Sequence, residues 1–232
     1  MIRLVVFDFF GTLGRFDEAT VTSPVYLLWE RRDPTRDAEL HTLATMVEGP
    51  NGERQFDHPP TEADYERWQT DALRAAAGYA GVPWTDTLHR ELLDVLARRR
   101  LVLFDDTLPA VRLLRARGIA WGVSSNASPD VEAKLLAALP DRLAPTVTLM
   151  SCRVGARKPH PDMFTPFLSY VDGPAQVLFV GDRVDADVAG PRRLGFRTAL
   201  IARSGPAEPV PAGTAVLREL TEIQSLISVE AA

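Results

Sequence analysis

Three short apolar runs, each closing on a turn or a hydrogen-bonding residue, constrain the fold of this chain most tightly. Residues 2–9 read IRLVVFDF and lead into Gly11-Thr12. Residues 119–123 read IAWGV and lead into Ser124-Ser125-Asn126, and residues 177–180 read VLFV and lead into Gly181-Asp182. A nearly continuous apolar run of this length leaves no polar face, which suits a parallel strand buried on both sides. Weaker runs at 146–150 and 198–202 extend the series. Helical stretches lie between them. Residues 107–117 (TLPAVRLLRAR) place Val111, Leu113 and Leu114 inward, with Gly118 as the stop. Residues 129–139 form a second helix, with Ser128 as its candidate cap. Strands alternating with helices of this length predict right-handed βαβ units and a mostly parallel sheet, an α/β fold.

The interval 16–100 reads differently, as helices with no strand. The spacing predicts a helix over 21–32 with Pro24 in its first turn, and another over 34–47. A third follows Thr61-Glu62-Ala63-Asp64, a capping box with Asp in the usual Glu place. It carries Tyr65, Trp68, Ala72, Leu73 and Ala76 on one stripe. A fourth starts near Thr85-Asp86 and turns Leu88, Leu92, Leu93 and Leu96 inward. Gly49-Pro50-Asn51-Gly52 is a turn signal. The chain therefore divides into an α/β core of residues 1–15 and 101–232 and an inserted helical module of residues 16–100. Residues 204–213 read as a surface loop, and 214–226 as a last short helix.

Composition removes several classes of function. The formal net charge is −5, so the broad positive field of a nucleic-acid binder is not expected. One cysteine, Cys152, allows neither an intrachain disulfide framework nor a multi-cysteine zinc site, and without a candidate base beside it a buried structural thiol is the better reading. No signal-peptide pattern opens the chain, and no run approaches the about 18 apolar residues of a spanning helix. A cytoplasmic protein, monomer or homodimer, is expected.

In open α/β sheets ligands bind beyond the carboxyl ends of the strands. Asp8 ends the first run, Ser124 and Ser125 the second, and Asp182 the third, with Asp185 and Asp187 just beyond. Clustered carboxylates repel unless a cation sits among them, and hard oxygen donors without histidine or thiolate favour Mg²⁺. Lys158, in Arg157-Lys158-Pro159, supplies a fixed positive charge.

Four stretches together resemble the ordered motifs of the haloacid dehalogenase-like (HAD) hydrolases. They are Phe7-Asp8-Phe9-Phe10-Gly11-Thr12-Leu13, Val123-Ser124-Ser125-Asn126, the segment from Arg157-Lys158-Pro159 to Phe164, and Val180-Gly181-Asp182 through Asp187 to Gly190. The resemblance implies a Rossmann-like parallel sheet core flanked by helices, and it matches the helical insert to the cap of the subgroup whose cap follows the first motif. It further implies that Asp8 is a nucleophile forming an aspartyl phosphate. Asp8, Asp182, Asp187 and the carbonyl of Phe10 would bind Mg²⁺. Ser125 would hydrogen-bond phosphoryl oxygens, and Lys158 would neutralise charge. Backbone N–H groups from Phe9 through Phe10 and Gly11 to Thr12 would cradle the anion. Thr12 would order the first loop by a side-chain hydrogen bond, and Asn126 would hold the second. A small phosphorylated molecule is the expected substrate.

The chain departs from the family at Phe10. Family phosphatases place there an aspartate that protonates the leaving alcohol, and a phenyl ring moves no proton. General acid–base catalysis is worth about 10²–10⁴-fold. Three readings follow. The first is a phosphohydrolase that is slow or restricted to good leaving groups, such as acyl phosphates. The second is a 2-haloacid dehalogenase-like enzyme, whose halide needs no proton, with Arg31 or Arg32 holding a substrate carboxylate. The third is a non-catalytic protein binding a phosphorylated ligand or partner. Retention of Asp182 and Asp187 places the first reading ahead.

Overall fold

The structure, a computed structural model, describes residues 1–17, 23–48, 56, 58, 60–206 and 208–227. The Gly49–Gly52 turn signal and residues 21 and 22 of the first predicted insert helix lie outside them. In chain order the main elements are β1 (Leu4–Phe7), β2 (Gly14–Phe16), α1 (Pro24–Glu30), α2 (Leu40–Glu48), α3 (Glu62–Tyr79), α4 (Asp86–Arg98) and β3 (Leu101–Leu103). There follow α5 (Thr107–Ala116), β4 (Ala120–Ser125), α6 (Pro129–Ala138), β5 (Val147–Met150), β6 (Val177–Gly181), β7 (Arg197–Ile201) and β8 (Ala215–Leu217). Six strands form one sheet in the order β5-β4-β1-β6-β7-β8, and every neighbouring pair is parallel. The α/β expectation holds.

β1 is central because nothing in it needs water. Leu4, Val5, Val6 and Phe7 are all fully buried. Leu4 and Val6 pack with Met163, Phe164, Phe167 and Phe179. Phe7 meets Trp121 edge-on at 6.1 Å between ring centroids. Each such side chain contributes roughly 1.5–3 kcal/mol by leaving water. The chain adds β4 on one side of β1 and later returns to add β6 on the other. The carboxyl end of β1 thus lies at the reversal of strand order, where open sheets leave a crevice.

The chain separates into two compact units, one of Met1–Arg15 and Leu101 onward and the other of residues from Phe16 to Arg100, with Phe56 and His58 grouping with the first. In the second unit Val25, Leu28, Leu43, Leu73, Leu88 and Leu92 form the buried centre of four helices. Sequence signals start three of them. Ser23 accepts the N–H of Val25 ahead of Pro24, Thr61 and Asp64 close their capping box, and Thr85 accepts the N–H of Leu88. No described helix is long and apolar enough to cross a membrane.

Several expectations need correction. The helix predicted over 34–47 starts only at Leu40, because the Asp33 carboxylate captures the Thr35 N–H at 2.9 Å and turns the chain. Leu93 faces solvent at 37% exposure while Leu88 and Leu92 are buried. Ser128 precedes α6 without capping it, its hydroxyl donating instead to Asp130 Oδ1 at 2.5 Å. Strands β2 and β3 pair as a small sheet flanking the interval read as strand-free, with Phe16 at the end of β2 its one described strand residue. The predicted last helix opens instead with β8, and helix is confined to a 3₁₀ turn at Leu220–Glu222 and Ile223–Ile227.

Candidate active site

The sheet order brings separated strand ends together. Asp8 follows β1 directly, its N–H donating to Val180 O at 2.9 Å, which ties it to β6. Asp182 follows β6, and Asp187 lies on a π-helical turn, Val184–Ala189. Oxygens of Asp8, Asp182 and Asp187 all fall within 4.8 Å of one another. Lys158 Nζ donates to Asp8 Oδ1 at 2.7 Å and to Asp187 Oδ1 at 2.6 Å. The ammonium is almost wholly buried at 2% side-chain exposure, and Asp187 is fully buried.

The lysine is placed by its backbone. Its N–H donates to Asn126 Oδ1 at 2.7 Å, and its carbonyl accepts from Asn126 Nδ2 at 3.1 Å. The Lys158–Pro159 peptide is cis. Asn126, which follows β4, therefore grips the Lys158 loop with both ends of its amide. Its amide thus ties the loop after β4 to the Lys158 loop. Ser125 ends β4 with its hydroxyl buried and without a hydrogen-bond partner among the described residues. A buried hydroxyl left unsatisfied is uncommon, and it points to a missing ligand atom.

The first loop closes on itself. Leu13 N and Gly14 N donate to Phe9 O at 2.8 and 3.0 Å, Thr12 N reaches the same carbonyl at 3.3 Å, and Gly11 N donates to Gly14 O at 3.0 Å. The N–H groups of Gly11 and Thr12 are thus spent on the turn, which removes them from the expected anion cradle. Thr12 Oγ1 is buried with no partner among the described residues, so the loop-ordering bond expected of it is not made. Phe10 is half-buried and meets Phe9 edge-on at 4.9 Å.

Two glycines permit this crowding. Gly11 has φ +75°, and a Cβ there would lie 2.1 Å from Asp182 Oδ2. A Cβ on Gly181 would lie 2.3 Å from that of Asp187. Replacing Gly11 with Ala therefore adds left-handed strain of about 1–2 kcal/mol to a collision with a carboxylate. The variant should unfold at lower urea concentration and bind Mg²⁺ more weakly; wild-type behaviour in both assays would remove the packing argument.

Electrostatics follow from three carboxylates sharing one ammonium. Burial pulls the Lys158 pKa down, but Asp187 and Asp8 outweigh it and hold the amine above its ordinary value. Burial, followed by the charges of Asp8 and Asp187, pushes Asp182 up to about 7. Asp182 keeps an exposed surface, so the neighbouring negative charges are the firmer cause. Asp187 rises to about 6 through burial and the repulsion of Asp8, against the pull of Lys158. A lysine pair alone would lower it; the ammonium is shared with Asp8 and does not offset both. The set is all hard oxygen and carries excess negative charge, which fits Mg²⁺.

Other candidates lie elsewhere. Arg183 forks onto Asp185 at 3.1 and 3.0 Å in an exposed pair. Arg31 donates to Glu91 at 2.5 Å, and Arg32 donates to Trp29 O while stacking 3.8 Å over the Trp29 ring. Cys152 is buried, which pushes its thiol up to about 12 and leaves it un-ionised near neutrality.

The chain is 27% identical over 184 residues to phosphoserine phosphatase of Thermus thermophilus, covering 72% of this chain and 74% of that protein. A predicted phosphoglycolate phosphatase of Haemophilus somnus superposes with TM-score 0.68 at 19% identity over 98% of both chains. A 2-haloacid dehalogenase of Pseudomonas syringae superposes with TM-score 0.64 at 23% identity, covering 98% of this chain and 99% of that one. Phosphatase and dehalogenase thus share this fold, and the fold does not choose between them. The model for haloacid dehalogenase-like hydrolase matches residues 2–195, a span that takes in each strand end from Asp8 to Asp187, and the chain belongs to that family of hydrolases.

Proposed function

We propose that this hydrolase is a Mg²⁺-dependent phosphohydrolase of small phosphorylated metabolites, working through an aspartyl phosphate on Asp8. One observation carries the reading: three carboxylates within 4.8 Å of one another balanced by a single buried lysine. Such a cluster is electrostatically incomplete without a cation. Asp8, Asp182 and Asp187, with the Phe10 carbonyl that the family resemblance adds, would hold it. Bound there, Mg²⁺ supplies charge neutralisation that lets an anionic phosphate approach a carboxylate.

The chain's own residues divide the remaining work. An Asp8 oxygen attacks phosphorus, the bond to the leaving oxygen breaks, and the leaving group departs with the electron pair. Water then attacks phosphorus of the acyl phosphate, restoring the Asp8 carboxylate and releasing inorganic phosphate. Lys158 keeps a positive charge against Asp8 throughout. The unpartnered Ser125 hydroxyl donates to a phosphoryl oxygen. Phe10 offers the leaving oxygen no proton, so substrates with stable leaving anions, such as acyl phosphates, are favoured over alkyl phosphates.

The retained Asp182 and Asp187 weigh against the dehalogenase reading, since without a bound cation their charge repels an anionic substrate. Arg31 donates to Glu91 and Arg32 to the Trp29 carbonyl, so neither guanidinium is paired with the carboxylate cluster among the described residues. Phosphate release from acetyl phosphate and p-nitrophenyl phosphate tests the proposal, with and without Mg²⁺ and with Asp8→Asn as the blank. Metal-dependent release that vanishes in the blank is expected, with acetyl phosphate preferred. No release above the blank from either compound counts against it and favours a binding role.

A further inference from the structure

Arg203 stands 191 residues from Thr12 in sequence, yet its Nη2 donates to the Thr12 carbonyl at 2.7 Å. The same guanidinium forks onto Asp106, Nη1 to Oδ2 at 2.7 Å and Nη2 to Oδ1 at 3.0 Å. Its plane lies 4.0 Å over the Phe104 ring. Asp106 is 9% exposed, and its Oδ2 also accepts the backbone N–H of Leu220 at 2.8 Å. The next carbonyl of the loop, Leu13 O, accepts from Thr107 Oγ1 at 2.6 Å and Phe104 N at 3.0 Å. Two successive carbonyls of the Asp8 loop are thus fixed by β7's exit, the start of α5 and the C-terminal segment. Among the described residues no hydrogen bond or ion pair joins Arg203 or Asp106 to Asp8, Asp182 or Asp187.

We propose that Arg203, held by Asp106, is a positioning residue that sets the Asp8 loop for reaction. The proposal rests on the reading of Asp8 as nucleophile. The mechanical path is short. The loop turns back through bonds onto Phe9 O, next to Asp8, and Gly11 within it packs against the Asp182 carboxylate. Releasing Thr12 O frees the far end of the turn, and Gly11 then shifts against Asp182. A bidentate fork onto a carboxylate with a third bond to a carbonyl needs a planar guanidinium, which a lysine does not reproduce.

The test compares wild type, Arg203→Met and Arg203→Lys in Mg²⁺-dependent phosphate release, Mg²⁺ titration and amide hydrogen exchange of the full chain. Misplacement of reacting groups by about 1 Å costs on the order of 10²-fold. Both variants should lose about 10–100-fold in kcat with KM changed less than about two-fold. Amides of Gly11, Leu13 and Gly14 should exchange at least about 10-fold faster, with exchange in β1 and β4 unchanged. Wild-type kcat and loop exchange in both variants would overturn the inference, as would uniformly faster exchange across the sheet, the mark of a general stability role. If Arg203→Met does not fold, Arg203→Lys decides alone. If the wild type itself releases no phosphate, the proposed function falls, while loop exchange and Mg²⁺ affinity still judge the clamp.

Discussion

Replacing Lys158 with Met should cost about 3–5 kcal/mol of stability at pH 8 without divalent cation, the usual penalty for removing one partner of a buried charge pair. Lys158 is the ammonium shared by Asp8 and Asp187, and both partners are buried. The amine is held above its ordinary value, so while its carboxylate partners stay ionised its stabilising contribution is full below about pH 10.5 and is lost as pH rises through the folded value. The carboxylates run the other way. Asp182 at about 7 and Asp187 at about 6 take up protons in the fold before they do in the unfolded chain, where 3.8 is the reference. Metal-free stability should therefore be greatest near the bottom of that window and fall as pH rises from about 4 to about 7. The Lys158→Met penalty should shrink toward pH 5 as these acids become neutral. Urea unfolding of both proteins at pH 5 and pH 8 checks this, and equal penalties at the two pH values would contradict it. Mg²⁺ at about 100 times its Kd should add about 2.7 kcal/mol to the wild type at pH 8.

What the amino-acid order reveals depends on how far apart the cooperating residues lie. The β1 run is legible because all four of its side chains are buried, so hydrophobicity alone marks a central strand. β8 is not, because Ala215–Leu217 has three residues and Val216 is 41% exposed on an outer strand, which reads as readily as helix. The start of α2 was hidden by a side-chain turn at Asp33 that hydropathy does not register. Within the site, strand ends carry recognisable carboxylates, but their distances come from the sheet order. The grip of Asn126 on Lys158 spans 32 residues, and the meeting of Arg203 with Asp106 spans 97. No local pattern announces either. The buried hydroxyls of Ser125 and Thr12 look alike in sequence motifs; only packing shows that both lack partners among the described residues.

Phe10→Asp should raise turnover of an alkyl phosphomonoester by at least about 10-fold and at most about 10⁴-fold, the span of general acid–base catalysis. The turn that carries the position two residues beyond Asp8 is closed from the backbone, Gly11 N–H to Gly14 O at 3.0 Å, independent of the side chain. The lost edge contact with Phe9, 4.9 Å between centroids, costs about 0.5–1.5 kcal/mol, which a folded domain tolerates. Selectivity is the sharper readout. An acyl phosphate leaves as a stable carboxylate and gains little from a proton donor, whereas an alkoxide gains most. The ratio of alkyl to acetyl phosphate hydrolysis should therefore rise by about the same factor as the alkyl rate itself. Measuring kcat/KM for glycerol phosphate and acetyl phosphate in both proteins separates the outcomes. Equal gains on both substrates would mean that the ring obstructs binding. No gain on either would place the limitation outside the missing proton donor and remove the physical basis for restricting substrates to good leaving groups.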